Sequence, residues 1–310
     1  MKKKKTKDIT LKGTFIDNFQ LFLLQFPGLL SIFIWSYIPM YGVIIAFKKF
    51  NPNKGIWGSK WVGFENFEFF FTSQDAARTI TNTLCYSVTF LVLGTVCAVG
   101  LALMMYNLTR RIFVKVYNTI MILPKFMSMV LIAFIVYALL NPASGVVNQL
   151  MVSWGFEPID WYSKPGAWPF ILTYVHEWQT VGWSSIIYYA ALMGINPELF
   201  EAAEIDGASK WQQTMKIAVP ELMSLIIIQT ILGIGGLMGG DFGLFYQVTR
   251  DVATLYPTTD IINTYTFRAL MDGSMAKSAA VGLFQSVVGI ILVVGSNMVV
   301  RKISPENSLF

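Results

Sequence analysis

Leu131-Ile132-Ala133-Phe134-Ile135-Val136 places six apolar side chains in a row, with no polar residue between them. A strand with one face toward lipid and the other toward a polar lumen would alternate. Hydrocarbon offers no partner to an unpaired backbone N–H or C=O, so such a run inside a membrane is helical. The pattern recurs along the chain. About 20 mostly apolar residues cross the hydrocarbon core. Stretches of that kind are Leu21 to Phe47, Thr79 to Tyr106, about Val116 to Leu140, Trp168 to Met193, about Ala218 to Met238 and about Ser278 to Val300. Pro27 and Pro39 fall in the first, and Pro124-Lys125 interrupts the third. The fold expected is an all-α membrane protein with six transmembrane helices.

Composition excludes most other classes. Of 310 residues, 55% are hydrophobic and only 13% charged, where a soluble domain carries roughly 25% charged residues. Disordered chains are poor in aromatics, whereas this one has 24 Phe, 13 Tyr and 9 Trp. The net charge of +5 sits at the ends of apolar runs, which suits lipid headgroups rather than nucleic acid. Cys85 and Cys97 share one apolar run; twelve helical residues separate them by about 18 Å, too far for a disulfide. One histidine, His176, and two cysteines are too few for a Cys/His metal site. No GxxxxGK[ST] phosphate loop occurs. No catalytic residue, metal or cofactor is expected.

Lys and Arg counts orient the bundle. With the N-terminus inside, the inner segments hold 13 basic residues and the outer loops 9, with Lys125 left inside a span. The basic tail and the Arg110-Arg111 pair decide for both termini inside. The first apolar run is too long for a signal segment and is read as a retained helix. The organisation expected is a cytoplasmic tail over 1–20, a six-helix membrane domain over 21–300 and a cytoplasmic tail over 301–310. The loop from Lys48 to Arg78 is crowded with Trp57, Trp61, Phe64, Phe67, Phe69, Phe70 and Phe71, which suits a segment lying in the headgroup layer. The loop from Gly239 to Lys277 is long and outside.

The inner loop, 194–220, is more informative. Asn196 is a helix cap and Pro197 suits the first helical position. Gly207 fits a left-handed C-terminal position. Ser209 with Gln212 reads as a capping box for a second short helix, on which Trp211, Met215 and Ala218 share a face. Pro220 marks a break or the start of the fifth span. The loop is either a solvated connector or, by its exposed apolar residues, a helix–turn–helix that docks into a groove of another protein.

Glu201-Ala202-Ala203, three residues, Gly207, nine residues, Ile217, one residue and Val219-Pro220 resemble the EAA motif of ABC importer permeases, with Val219 where the family pattern has Leu. Asp206-Gly207-Ala208 matches the usual DGA. Trp61-Val62-Gly63-Phe64-Glu65-Asn66-Phe67, Leu123-Pro124, Gly145-Val146-Val147-Asn148, Gly282-Leu283-Phe284-Gln285-Ser286 and the tail Ser304 to Phe310 are similar to sugar permeases. The resemblance is to a maltose-permease-like subunit of the oligosaccharide and polysaccharide-fragment branch. It implies a multi-pass protein of the bacterial plasma membrane. It also implies a second permease chain, a cytoplasmic ATPase dimer docked through the EAA loop, an extracellular binding protein and a carbohydrate substrate. Glu201, Ala202, Ala203, Asp206, Gly207, Ala208, Ile217 and Pro220 would form the ATPase-coupling loop. Glu201 would bond across the turn or to the ATPase.

Polar groups inside spans face a cavity or another helix. His176, Gln179 and Trp183 fall roughly on one face of the fourth span, and the resemblance makes that span line the pathway. The alternative for its aromatics is interfacial anchoring. Gly240, Asp241 and Phe242 close the fifth span and either line a cavity with irregular backbone or pack helices closely. Lys125 could face the pathway or snorkel. Gly94 and Gly100 read as packing residues. The competing function is an ion-gradient-driven secondary transporter, but such folds carry internal repeats and paired intramembrane carboxylates, and here only Glu177 is a plausible buried acid.

Overall fold

The computed structural model describes residues 19–108 and 110–309. Most of the expected 1–20 tail, with all its lysines, and Phe310 lie outside the described residues. Helix α1 runs Phe19–Phe47. Pro39 does not end it, because a π turn over Phe33–Tyr37 precedes it; the wider turn accommodates a residue that has no N–H and whose ring crowds the preceding carbonyls. Two-residue strands β1 (Lys48–Lys49) and β2 (Lys60–Trp61) pair antiparallel, Lys48 opposite Trp61. Then come α2 (Glu65–Thr72) and α3 (Gln74–Tyr106), the latter capped by the Ser73 hydroxyl.

The expected third span is not one rod. It is α4 (Arg111–Ile122) and α5 (Met129–Leu140), whose axes are bent by 97° at the break. The tight turn Leu123–Phe126 contains Pro124, Met127 and Ser128 are extended, and the Ser128 hydroxyl caps α5 at the Leu131 N–H. Helix α6 (Val146–Ser153) follows. Its buried Asn148 holds the connecting loop: its amide donates to the carbonyls of Pro142 (3.1 Å) and Ile159 (2.8 Å), and its oxygen accepts from Ile159 N and Trp161 Nε1 (both 3.1 Å).

Helix α7 is Trp168–Met193 and α8 is Pro197–Ile205. Helix α9 runs unbroken over Lys210–Gly235, so the second short helix expected after Ser209 is the first part of a long one. Pro220 causes no break because a π turn over Thr214–Ala218 precedes it, the device already seen before Pro39. The short helix α10 (Tyr256–Thr259), then α11 (Ile262–Met271) and α12 (Met275–Ile303), complete the chain.

Among the described residues, α1, α3, α9 and α12 are long and apolar enough to cross a membrane, and the bent α4–α5 pair makes a fifth if taken as one span. Helix α7 has 26 residues but carries His176, Glu177 and Gln179 in mid-length. Large apolar side chains face outward along α1, Leu24 at 79% and Trp35 at 77% exposure, the reverse of a water-soluble surface.

Helices α3 and α7 share the most extensive helix interface. Near the start of α7 it is filled by Tyr86, Trp168, Leu172 and Phe245. Near the end of α7 it is filled by Ala98, Ala102, Tyr188, Leu192 and Leu222. The aromatic loop does not lie wholly at the surface. Trp57, Trp61, Phe64, Phe69 and Phe71 are exposed, but Phe70 is buried against Tyr265 and Phe284, since α2 must seal the gap between α3, α11 and α12.

Gly182 of α7 lets α4 approach: a Cβ there would collide with the Met121 carbonyl oxygen. Backbone cannot swing aside as a side chain can. Gly182→Ala should therefore destabilise the fold by about 1–3 kcal/mol, seen as a lower melting temperature in detergent. Gly100→Ala on α3, where a Cβ meets nothing within 4 Å, should leave it unchanged.

Candidate functional site

The loop between α7 and α9 is a rigid elbow. The Asn196 side chain accepts from Glu198 N (3.1 Å) and starts α8. Gly207 stops it with φ +79°, a conformation that crowds any Cβ. Ala208 N then donates to Ala203 O (2.9 Å) and Gly207 N to Glu204 O (3.1 Å). Ser209 and Gln212 form the reciprocal capping box, through contacts of 3.3 Å and 2.7 Å. The buried Gln213 amide holds the corner by donating to Ala208 O (3.2 Å). The Phe200 ring packs on Tyr106 with centroids 5.6 Å apart, tying α8 to the end of α3.

Glu201 and Ala202 are exposed, as are Asp206, Gly207 and Pro220; Ala203, Ala208 and Ile217 are half-buried. Among the described residues the Glu201 side chain makes no hydrogen bond, so the bond across the turn is not formed. The ion pair of the elbow is Lys210–Glu204 (3.4 Å). The stripe expected over Trp211, Met215 and Ala218 divides: Trp211 and Met215 are exposed, whereas Ala218 is buried in the cluster with Tyr188 and Leu222. With Leu199 (46% exposed) and Ile205 (86%), Trp211 and Met215 leave the elbow an apolar surface that water does not favour.

A second assembly lies between α7 and the segment after α9. His176 Nδ1 is 3.6 Å from Asp241 Oδ2, and its ring stacks on Phe90 at 3.8 Å between centroids. Asp241 Oδ1 accepts from Leu244 N (3.0 Å). Gly240 has φ +59°, and a Cβ there would lie 2.8 Å from Ile261 Cδ1. Phe242 stacks on Tyr246 (5.1 Å) and contacts Phe267 (5.0 Å). His176, Gly240, Asp241 and Phe242 thus come together. Gln179 is buried, and Trp183 lies about two turns along α7, against Phe126. Gly94 abuts the Glu177 carboxylate, a Cβ there lying 3.2 Å from Oε2; Gly100 has no such neighbour. Lys125 is exposed at the α4–α5 break. Phe90, Tyr246 and Phe267 were not legible in sequence, since nothing distinguishes one aromatic in an apolar run from another.

A charged network lies at the opposite end of α9 from the elbow. The Asp260 side chain is fully buried between Arg78 (2.9 Å) and Arg268 (2.6 Å) and accepts from the Thr264 hydroxyl (2.8 Å). Arg268 also holds Asp251 (3.1 Å) and stacks on Tyr256 (4.1 Å). Burial opposes the Arg268 charge, but its hydrogen bond and charge contact with Asp260 outweigh it and raise its pKa above the ordinary value. Burial also pushes the Tyr162 phenol up to about 12, against the opposing charge of Arg250. Arg78 and Asp260 are far apart in the chain, so no local pattern announces their pairing. Asp260→Asn leaves two guanidinium groups without their shared counter-charge and should cost about 3 kcal/mol, read as a lower melting temperature of the purified chain at neutral pH.

A family model described as binding-protein-dependent transport system inner membrane component matches residues 75–305. The chain is 34% identical over 287 residues to Protein LplB of Bacillus subtilis (strain 168), covering 92% of this chain and 90% of that one. It is also 34% identical over 308 residues to the polygalacturonan/rhamnogalacturonan transport system permease protein YteP of the same organism, covering 98% and 94%. A crystal structure of a bacterial alginate ABC transporter in complex with an alginate pentasaccharide-bound periplasmic protein contains a similar chain. Its TM-score is 0.85 and its identity 30%, covering 94% of this chain and 97% of that one.

Proposed function

The chain belongs to the family of binding-protein-dependent transport system inner membrane components, and we propose that it is one permease subunit of an ATP-binding-cassette importer that moves an oligosaccharide. As a member it is a multi-pass inner-membrane protein of transport rather than an enzyme. The names of its relatives, a polygalacturonan/rhamnogalacturonan permease and an alginate transporter bound to a loaded periplasmic protein, support a carbohydrate substrate and a binding-protein partner. Helix α7 and the bent α4–α5 pair complete six spans, with both termini inside. A second permease chain forms the other half of the pathway, and each permease docks one subunit of a cytoplasmic ATPase dimer.

The elbow carries this reading. Leu199, Ile205, Trp211 and Met215 present apolar surface on a corner that is internally hydrogen-bonded. A partner groove could bury that surface. From the corner, α9 extends 26 residues, about 39 Å, to the glycine segment beside His176 and Asp241. A displacement of the elbow is therefore transmitted as a rigid-body movement. Glu201, Ala202, Ala203, Asp206 and Ala208 form the corner around Gly207, while Ile217 and Pro220 belong to the part of α9 that leaves it. The exposed, unbonded Glu201 is free to bond to the ATPase. His176, Gly240, Asp241 and Phe242 line the sugar pathway, with Gln179 and Trp183 further along α7.

Gly207→Asp tests the coupling role, because a side chain at φ +79° distorts the corner without touching the spans. In the complete importer reconstituted in vesicles, stimulation of ATP hydrolysis by the loaded binding protein should fall to the basal rate, with the chain still inserted. Stimulation equal to that of the parent excludes the elbow as the coupling element. Ile205→Glu should likewise weaken co-purification of the ATPase.

A further inference from the structure

Between α5 and the turn that follows the Asp241 segment lies a cavity of about 270 Å³, lined among others by Phe134, Tyr137, Tyr246, Gln247, Arg250 and Asp251. It sits with the Asp260 network, at the opposite end of α9 from the elbow. Arg250 and Asp251 both have left-handed backbone, with φ 57° and 49°. Two successive non-glycine residues in that region are strained, because Cβ crowds a carbonyl oxygen, and such strain concentrates at binding sites. The turn is held from behind: the Tyr162 hydroxyl donates to Val248 O (3.4 Å) and the Thr254 hydroxyl to Tyr162 O (2.8 Å).

The Arg250 guanidinium lies over the Tyr137 ring at 4.0 Å. Stacking uses its face and leaves the in-plane N–H edge open. Among the described residues no carboxylate reaches that edge within ion-pair distance. The nearby acids are already taken. Arg78 holds Asp75 (2.8 Å) and Asp260 (2.9 Å). Arg268 holds Asp260 (2.6 Å) and Asp251 (3.1 Å). Asp251, the acid that shares the cavity, also accepts from the Tyr256 hydroxyl (3.0 Å), so its charge is met on the side of Arg268. The opposite wall is aromatic, Tyr246 being backed by Phe242 and Phe267.

A planar guanidinium with an open edge recognises a carboxylate through two parallel hydrogen bonds. An aromatic face beside it suits the C–H face of a sugar ring, and the Gln247 amide adds a donor and an acceptor. We propose that this cavity is a subsite for a carboxylate-bearing sugar, a hexuronate residue of the transported chain. Arg250 pairs with the carboxylate and Tyr246 packs on the ring. The inference rests on the carbohydrate-import reading and narrows its substrate class.

The test uses the complete importer in vesicles, with trigalacturonate and its carboxyl-reduced counterpart as probes. Arg250→Gln should raise the KM for trigalacturonate uptake about tenfold or more, the loss expected for a charge-assisted hydrogen bond. Arg250→Lys keeps the charge without the fork and should fall between. Uptake of the reduced trisaccharide should not respond to either change. An unchanged KM for trigalacturonate in Arg250→Gln, or an equal rise for both sugars, overturns the subsite. Import of neutral but not acidic glycans by the parent overturns it too and leaves carbohydrate import standing. Import of none across a panel of both kinds overturns both readings. Should Arg250→Gln fail to assemble, Gln247→Cys in a Cys85→Ser, Cys97→Ser background replaces it. Trigalacturonate should then slow alkylation of that thiol and the reduced sugar should not; equal alkylation rates overturn the proposal.

Discussion

Every backbone N–H and C=O in lipid must find a partner within the protein, and the rest of this architecture follows from where the helices break that rule. Unbroken helices need nothing more. The break at Pro124 needs Ser128, whose hydroxyl replaces a helix bond at Leu131 N. The break after α9 needs more, because Gly236 to Gly243 leaves several groups unpaired by helix. Gln285 of α12 donates to Met238 O (2.8 Å), Asn263 of α11 donates to Gly239 O, and Asp241 accepts from Leu244 N. Gln285 and Asn263 also bond to each other (2.8 Å). This irregular backbone is thus held by side chains from the last two helices, and it brings Asp241 to His176.

Internal bonds also cross-link the molecule at both ends of α9. At one end the elbow closes its own bonds through Gly207, the Ser209–Gln212 capping box and Gln213. At the other, Asp260 takes both Arg78 and Arg268 and so pins the start of α3 to α11. A buried carboxylate shared by two guanidinium groups is weak evidence for net stability, but removing one member leaves uncompensated charge, so the network permits few arrangements. Helix α9 joins these two fixed regions, and π turns rather than kinks absorb its proline.

Within that frame, exposed side chains acquire meaning. Ile205 and Trp211 project from a corner that has no freedom to fold them inward. Arg250 projects from a strained turn whose acids are committed elsewhere. Both are groups that the chain leaves unsatisfied while satisfying nearly everything around them.

Much of this was legible in the residues. The uninterrupted run through Val136 dictated helix rather than barrel, because hydrogen bonding in lipid admits only those two and a barrel strand would alternate. Asn196, Gly207 and the Ser209–Gln212 pair announced the elbow, because caps and left-handed turns depend on a few neighbouring residues. Other features lay beyond local reading. That Pro124 sits in a tight turn at a 97° break while Pro220 leaves its helix unbroken depends on the local turn geometry and on what packs against it. Phe70 is buried while Phe69 and Phe71 are not, because only the docking of α2 on α11 and α12 selects one ring of three. Arg78 and His176, which meet Asp260 and Asp241, come from helices distant in the chain. Periodicity and capping are short-range and are written in the sequence; pairings across the bundle depend on how its helices pack, and only the tertiary structure decided them.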